Sequence, residues 1–236
     1  METALQELVD RLAKAHGESL ISVVLYGSAA AGDHQEGFSD LNILCVLRQI
    51  TPRELADSEK VFHWWRAKGN PPPLLLSERE VETSTDCFAI EFHDIQSSHK
   101  ILYGKDAISS LVVDNSFYRA QVERELRAKL LRLRQKASSV LSEKDALRRL
   151  LIDSVSTFCV LFRHALILSG VPSDLHKRAI VERARQTFGI DAAPFTTLLD
   201  VRDKKIKSKE LDPGPLLGSY LKQIDAVIEA LDRISK

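Results

Sequence analysis

Cysteine, methionine and aromatic side chains are all scarce in this chain. Of 236 residues, three are cysteine, one is methionine and two are tryptophan, and aromatics make up 6%. Cys45, Cys87 and Cys159 lie far apart, each in an apolar run, and no Cys-x-x-Cys or Cys/His spacing joins them. That argues against a disulfide framework or a zinc site and predicts three buried, reduced thiols. A surplus of charge is missing too. Lys plus Arg (33) equals Asp plus Glu (33), so no global field recruits nucleic acid or an anionic membrane. No uninterrupted apolar run approaches the ~20 residues that span a bilayer. The opening METALQELVDRLAKAHG places Leu5, Leu8, Val9 and Leu12 at helical spacing, with Gly17 as a stop, and lacks the continuous apolar centre of a signal peptide. The expectation is a cytoplasmic protein with neither membrane nor nucleic acid as partner. A homo-oligomer is left open.

What is present divides into two characters. Up to about residue 104, short apolar runs alternate with helix signals. Leu20 to Tyr26 and Leu41 to Leu47 read as buried strands. Thr51-Pro-Arg-Glu54 is a capping box with proline at the first helical position, opening a helix that runs to about Lys68. Leu74 to Leu76 predicts a third strand, and Ser77 to Glu80 another helix start. Cys87 to Ile95 has strand propensity, and Ser97 to Tyr103 then reads as helix, stopped by Gly104. From Phe117 onward only long amphipathic helices remain, with Gly170, Gly189 and Asp212-Pro-Gly-Pro215 as punctuation. The organisation expected is α+β: a mixed sheet flanked by helices over 1–108, then an all-α bundle over 109–236.

The stretch Val23 to Leu47 carries the chemistry. A strand runs into a Gly27-Ser28 turn, then a loop with Gly32 and Gly37, then Ser39-Asp40-Leu41-Asn42 at the head of a second strand. Alternation along a strand sends Asp40 and Asn42 one way while Leu41 and Ile43 face the core. Oxygen donors in that position hold Mg²⁺ against nucleotide phosphates. Glycine in the turn lets the backbone come close to those phosphates.

These residues resemble the signature of the DNA polymerase β-like nucleotidyltransferase superfamily. The small bacterial members with a helical C-terminal bundle, such as the aminoglycoside nucleotidyltransferases, are the nearest comparison. The resemblance covers roughly 20–104 by motif, and the rest only by architecture. It implies transfer of a nucleoside monophosphate from a nucleoside triphosphate to a hydroxyl on a small-molecule or macromolecular acceptor, with Mg (or Mn) as cofactor. It makes Asp40, Asn42 and Glu91 the catalytic and metal-ligating set. Glu91 supplies the third acidic position from a later strand. Gly27, Ser28 and Ser39 hold the nucleotide. Ile101-Leu-Tyr-Gly104 resembles the segment that follows that strand. Lys100, beside His99, is placed to reach phosphates.

The chain departs from that pattern at two points. Asn42 stands where the second carboxylate belongs, and Ala29-Ala30-Ala31 follows Ser28 where a basic residue is common. An amide can ligate Mg²⁺ through its oxygen but brings no charge. The alternative reading is therefore a catalytically degenerate member, acting as a nucleotide-binding regulator or a protein-interaction scaffold. Elsewhere, His93, Asp94 and His99 fit no standard ligand spacing, and Asp94 reads as a helix cap. The basic run from Arg119 to Arg149 is interleaved with Glu123, Glu125, Glu143 and Asp145, as on a solvated helix face.

Overall fold

Leu20–Tyr26 forms strand β1 because its β-branched, apolar residues bury both faces of a central strand. It is flanked in the sheet by β2 (Asn42–Leu47) and β4 (His99–Gly104), and β3 (Leu74–Ser77) pairs with the far side of β2. The order is β3-β2-β1-β4, with β1 antiparallel to both neighbours and β2 parallel to β3. The computed structural model describes residues 2–32, 41–172 and 176–234.

Helices cover both faces of this mixed sheet. α1 (Glu2–His16) and α2 (Pro52–Ala67) pack on one side, where Val23, Leu25, Ile43, Cys45 and Leu47 meet Leu8, Leu12 and Trp65. α3 (Glu78–Thr83) and α4 (Ala89–Ser97) cover the other, where Val24, Leu44 and Val46 meet Val81, Phe92 and Ile95. The expected capping box at Thr51 forms, and the helix start expected at Ser77 is a second one. Thr51 caps α2 with Glu54 reaching back, and Ser77 caps α3 with Glu80 reaching back. Of the two tryptophans, Trp65 is fully buried, while the Trp64 ring lies under the Arg11 guanidinium at 4.3 Å.

Two sequence expectations are exchanged here. Residues 89–97 form helix α4, and His99–Gly104 form strand β4. The cause lies in the period: Ala89, Phe92 and Ile95 are buried at steps of three, one stripe of a helix. Cys87 therefore falls just before α4 and is exposed, unlike Cys45 and Cys159.

His16, the last residue of α1, carries a pH dependence. Its Nε2 lies 3.1 Å from Ser58 Oγ, and Ser58 donates to the Glu54 carbonyl, so Nε2–H is the donor to the serine. Among the described residues Nδ1 is buried without a hydrogen-bond partner, so a proton there finds no acceptor among them. Burial lowers the His16 pKa, against an opposing pull from Asp57 and Glu54. The sign follows: the unfolded histidine, with its pKa near 6.5, takes up the proton first, so stability is full above that pH and falls as pH drops toward the folded value. Urea melts should show a modest loss between pH ~7.5 and ~5.5 that His16→Gln reduces.

The chain divides into two compact units, Met1–Phe117 and Tyr118–Lys236. Ile108, fully buried with the α4-side core, belongs to the first. The second consists of α5 (Tyr118–Ser138), α6 (Lys144–Leu168), α7 (Lys177–Phe188), α8 (Ala193–Arg202) and α9 (Pro213–Asp232). Ser173-Asp174, which in sequence reads as a helix cap before α7, lies outside the described residues, and Gly189 ends that helix in the left-handed conformation. α6 is the hub, since α5, α7, α8 and α9 all pack on it. Among the described residues it is the one helix long and apolar enough to cross a membrane by length and composition, and 61% of that stretch is buried within the protein.

Candidate functional site

The site gathers where β1 and β2 end together. Tyr26, the last residue of β1, pairs with Asn42, the first of β2, and on its other side with His99 of β4. The chain then turns at once. Gly27 adopts φ +77°, and its carbonyl accepts from the N–H groups of Ala30 and Ala31 at 3.0 and 3.1 Å. Its own N–H donates to the Ser98 carbonyl at 3.0 Å, so the end of α4 anchors the Gly27–Ser28 turn. Ala29 is buried against the α1–α2 core and fixes the turn from below, leaving Ser28 half exposed.

Asn42 packs directly on that turn. A Cβ placed on Gly27 would lie 3.3 Å from Asn42 Nδ2, so glycine is required both for its backbone angle and for the room it leaves. Leu41 and Ile43 are buried in the α1–α2 core, as alternation demands, and Asn42 takes the opposite, α4-side face with Tyr26. Gly27→Ala should cost about 1–2 kcal/mol in strain and displace the amide. Denaturation midpoints together with nucleotide affinity would report both effects.

Glu91 joins this face from a different element than expected. It sits in the first turn of α4 rather than on a strand, and α4 touches the Gly27 turn. Its nearness is electrostatic as well as geometric. Burial raises the Tyr26 pKa, and the Glu91 charge raises it further, so Tyr26 stays a protonated hydroxyl. Tyr26 was missed from sequence, although its place two residues after Val24 puts it on the α4 side.

Lys100 is not part of this gathering. It pairs with Leu25 on β4 and opens toward α1, among Glu2, Thr3, Gln6 and Leu102, on the other face of the sheet from Asn42. The helical placement assumed for Lys100 failed with the exchange of α4 and β4. His93 and His99 are engaged elsewhere. His93 Nε2 lies 2.6 Å from Asn115 Oδ1, and His99 Nδ1 donates to the Ile95 carbonyl at 3.0 Å. Asp94 lies inside α4 rather than at its cap. Ser39 and Asp40 lie outside the described residues, as does Gly37.

The described donors do not by themselves fit magnesium. Asn42 offers one neutral carbonyl and Glu91 one carboxylate, where Mg²⁺ favours carboxylates converging with phosphate oxygens. No group of three His, Cys, Asp or Glu side chains converges among the described residues.

No protein-family model matches the chain, and no curated protein does. Solved structures do. Spectinomycin adenyltransferase AAD(9) from Enterococcus faecialis, crystallised with ATP and spectinomycin, superimposes with a TM-score of 0.61 at 12% identity, over 94% of this chain and 99% of that one. A toxin–antitoxin structure with AMP-PNP aligns at a TM-score of 0.31 and 16% identity, over 43% of this chain and 74% of that one. The likeness to AAD(9) runs through both units and shows a shared fold: an α+β mixed sheet flanked by helices and followed by further helices.

Proposed function

We propose that this protein transfers a nucleoside monophosphate from a nucleoside triphosphate to a hydroxyl on a small-molecule acceptor. The observation that carries the reading is the Gly27–Ser28 turn with Asn42 packed on it, at the joint end of two strands and facing Tyr26 and Glu91. Glycine at φ +77° presents bare backbone there, which suits close approach of a phosphate. The fold shared with AAD(9), whose crystal holds ATP and spectinomycin, supports the nucleotide and a small acceptor together. In the reaction the acceptor oxygen forms a bond to the α-phosphorus while the bond bridging the α- and β-phosphates breaks. Pyrophosphate leaves, and the hydroxyl proton passes to a base. Tyr26, held protonated, can donate to a phosphate oxygen from the α4 side.

In this reading Asp40 is the principal carboxylate of the site, with Ser39 beside it. The amide at position 42 favours a second reading, a nucleotide-binding regulator or scaffold without turnover. Pyrophosphate release from each nucleoside triphosphate, measured with Mg²⁺ or Mn²⁺ over an acceptor panel, separates the two. Transfer predicts acceptor-dependent release that Asp40→Ala lowers about a thousandfold, the upper range for losing one charge-stabilising group. Tight nucleotide binding with no release supports the regulator. Absence of nucleotide binding even in Asn42→Asp ends both.

A further inference from the structure

The α4 side of the sheet holds a second feature that the nucleotide turn does not use. A slot of about 90 Å³ is lined by Leu74, Leu76, Phe88, Phe92, Ile95 and Glu91. Phe92 and Ile95 form its buried floor, and Leu74 and Phe88 are exposed at its edge. No side chain in the lining carries a hydrogen-bonding group except Glu91. That carboxylate is exposed, and among the described residues it has neither an ion pair nor a hydrogen bond. Its field is nonetheless felt at Tyr26, beside the Gly27 turn.

A carboxylate with no partner among the described residues, at the rim of an apolar slot, is the chemical complement of an ammonium group on an apolar body. The body fills the slot and leaves water, while the cation pairs at the rim, where it keeps part of its hydration. The size sets a limit, since drug-sized pockets run to about 300 Å³ and above. This slot admits one ring or a short branched chain. A polyhydroxylated body would leave its hydroxyls facing phenylalanine and leucine, where each unpaired group is penalised.

We propose that the slot binds a compact aliphatic or aryl ammonium compound, its amine on Glu91 and its apolar end against Phe92 and Ile95. Resting on the proposed function, that compound is the acceptor, an amino alcohol whose hydroxyl is carried toward the Gly27 turn. Glu91 then orients the acceptor, a role separate from the metal ligation that sequence resemblance implied for it.

Calorimetric titration of the full, nucleotide-free chain slightly below neutral pH tests this, with benzylamine, benzyl alcohol and glucosamine as probes. Benzylamine should bind, benzyl alcohol about tenfold more weakly for want of the charged hydrogen bond, and glucosamine not detectably. Glu91→Gln should bring benzylamine down to the level of benzyl alcohol, and Phe88→Ala should weaken both aromatic probes several-fold. Both substitutions are at exposed positions, and circular dichroism would verify that the variants fold. Benzylamine binding unchanged in Glu91→Gln, or matched by glucosamine, overturns the proposal. Because no nucleotide is present, a failed transfer assay leaves the slot standing, and a failed titration leaves the transfer reading standing.

Discussion

Asn42→Asp is expected to raise the rate of Mg²⁺-dependent nucleotidyl transfer by about a hundredfold, because the added carboxylate would help to hold the cation that offsets transition-state charge. The substitution is nearly isosteric, so the packing of residue 42 on Gly27 is kept and the change is electrostatic. A carboxylate would repel the phosphates directly, so the gain comes through the divalent cation it would help to hold. A full charge a few ångströms from that cation is worth several kcal/mol at a surface-like dielectric, and solvent at this half-exposed position takes back part of it. The cost falls on the empty protein. Nδ2, which lies against the Gly27 turn, is exchanged for an anionic oxygen on the face that already carries Glu91. A loss of about 1 kcal/mol of stability follows from two carboxylates brought together on that face. The pairing of effects is the diagnostic: single-turnover rates go up while the urea midpoint without nucleotide goes down. Asn42→Ala, which removes the amide without adding charge, should give no increase. An Asn42→Asp rate equal to wild type, with nucleotide affinity intact, would mean that charge at position 42 does not govern the chemistry.

The strand–turn–strand core was legible because its residues satisfy two constraints at once. Alternation along β2 buries Leu41 and Ile43 on one face and leaves Asn42 on the other, and β1 is apolar enough to be buried on both. The capping box at Thr51 and the helix start at Ser77 were legible for a different reason, since each is a local motif whose hydrogen bonds need no tertiary context. The exchange of α4 and β4 shows where such reading ends. Phe88-Ala-Ile-Glu-Phe92 contains enough aromatic and β-branched residues to look like a strand, and only the sheet against it selects the helical stripe of Phe92 and Ile95. β4 is an edge strand, half polar, whose identity comes from pairing with β1 rather than from its own pattern. The candidate site inherited that error. Glu91 moved to a helix and Lys100 to the other face, while Gly27, Ser28 and Asn42, which rest on the core strands, stayed together.

Among the described glycines, Gly104→Ala should cost the most stability, about 3 kcal/mol or more. Gly104 closes β4 at φ +75°, opposite Ser22 of β1. A Cβ there would lie 2.0 Å from the Ile21 carbonyl oxygen and 2.9 Å from its carbon, so the clash is with backbone and no rotamer can relieve it. The left-handed angle adds strain of its own, about 1 kcal/mol for alanine. One route of relief is for β4 to pull away from β1, which gives up the Lys105 N–H bond to the Ile21 carbonyl as well as ladder pairing. The consequence reaches the candidate site along the strand. Ser98, just before β4, accepts the Gly27 N–H, so a strand loosened at Gly104 also loses its hold on the turn beside Asn42. Hydrogen exchange should therefore show faster exchange over 99–105 and at Gly27 in Gly104→Ala, with the bundle helices of 118–234 unchanged. Nucleotide affinity should fall although residue 104 is at the opposite end of the strand. Gly69→Ala is the matched control, with a positive φ of 86° but no atom within 4 Å of the added methyl, and it should pay only the conformational part. If both substitutions cost the same, the close approach of β4 to β1 contributes nothing, and the anchoring of the Gly27 turn through Ser98 has to be given up with it.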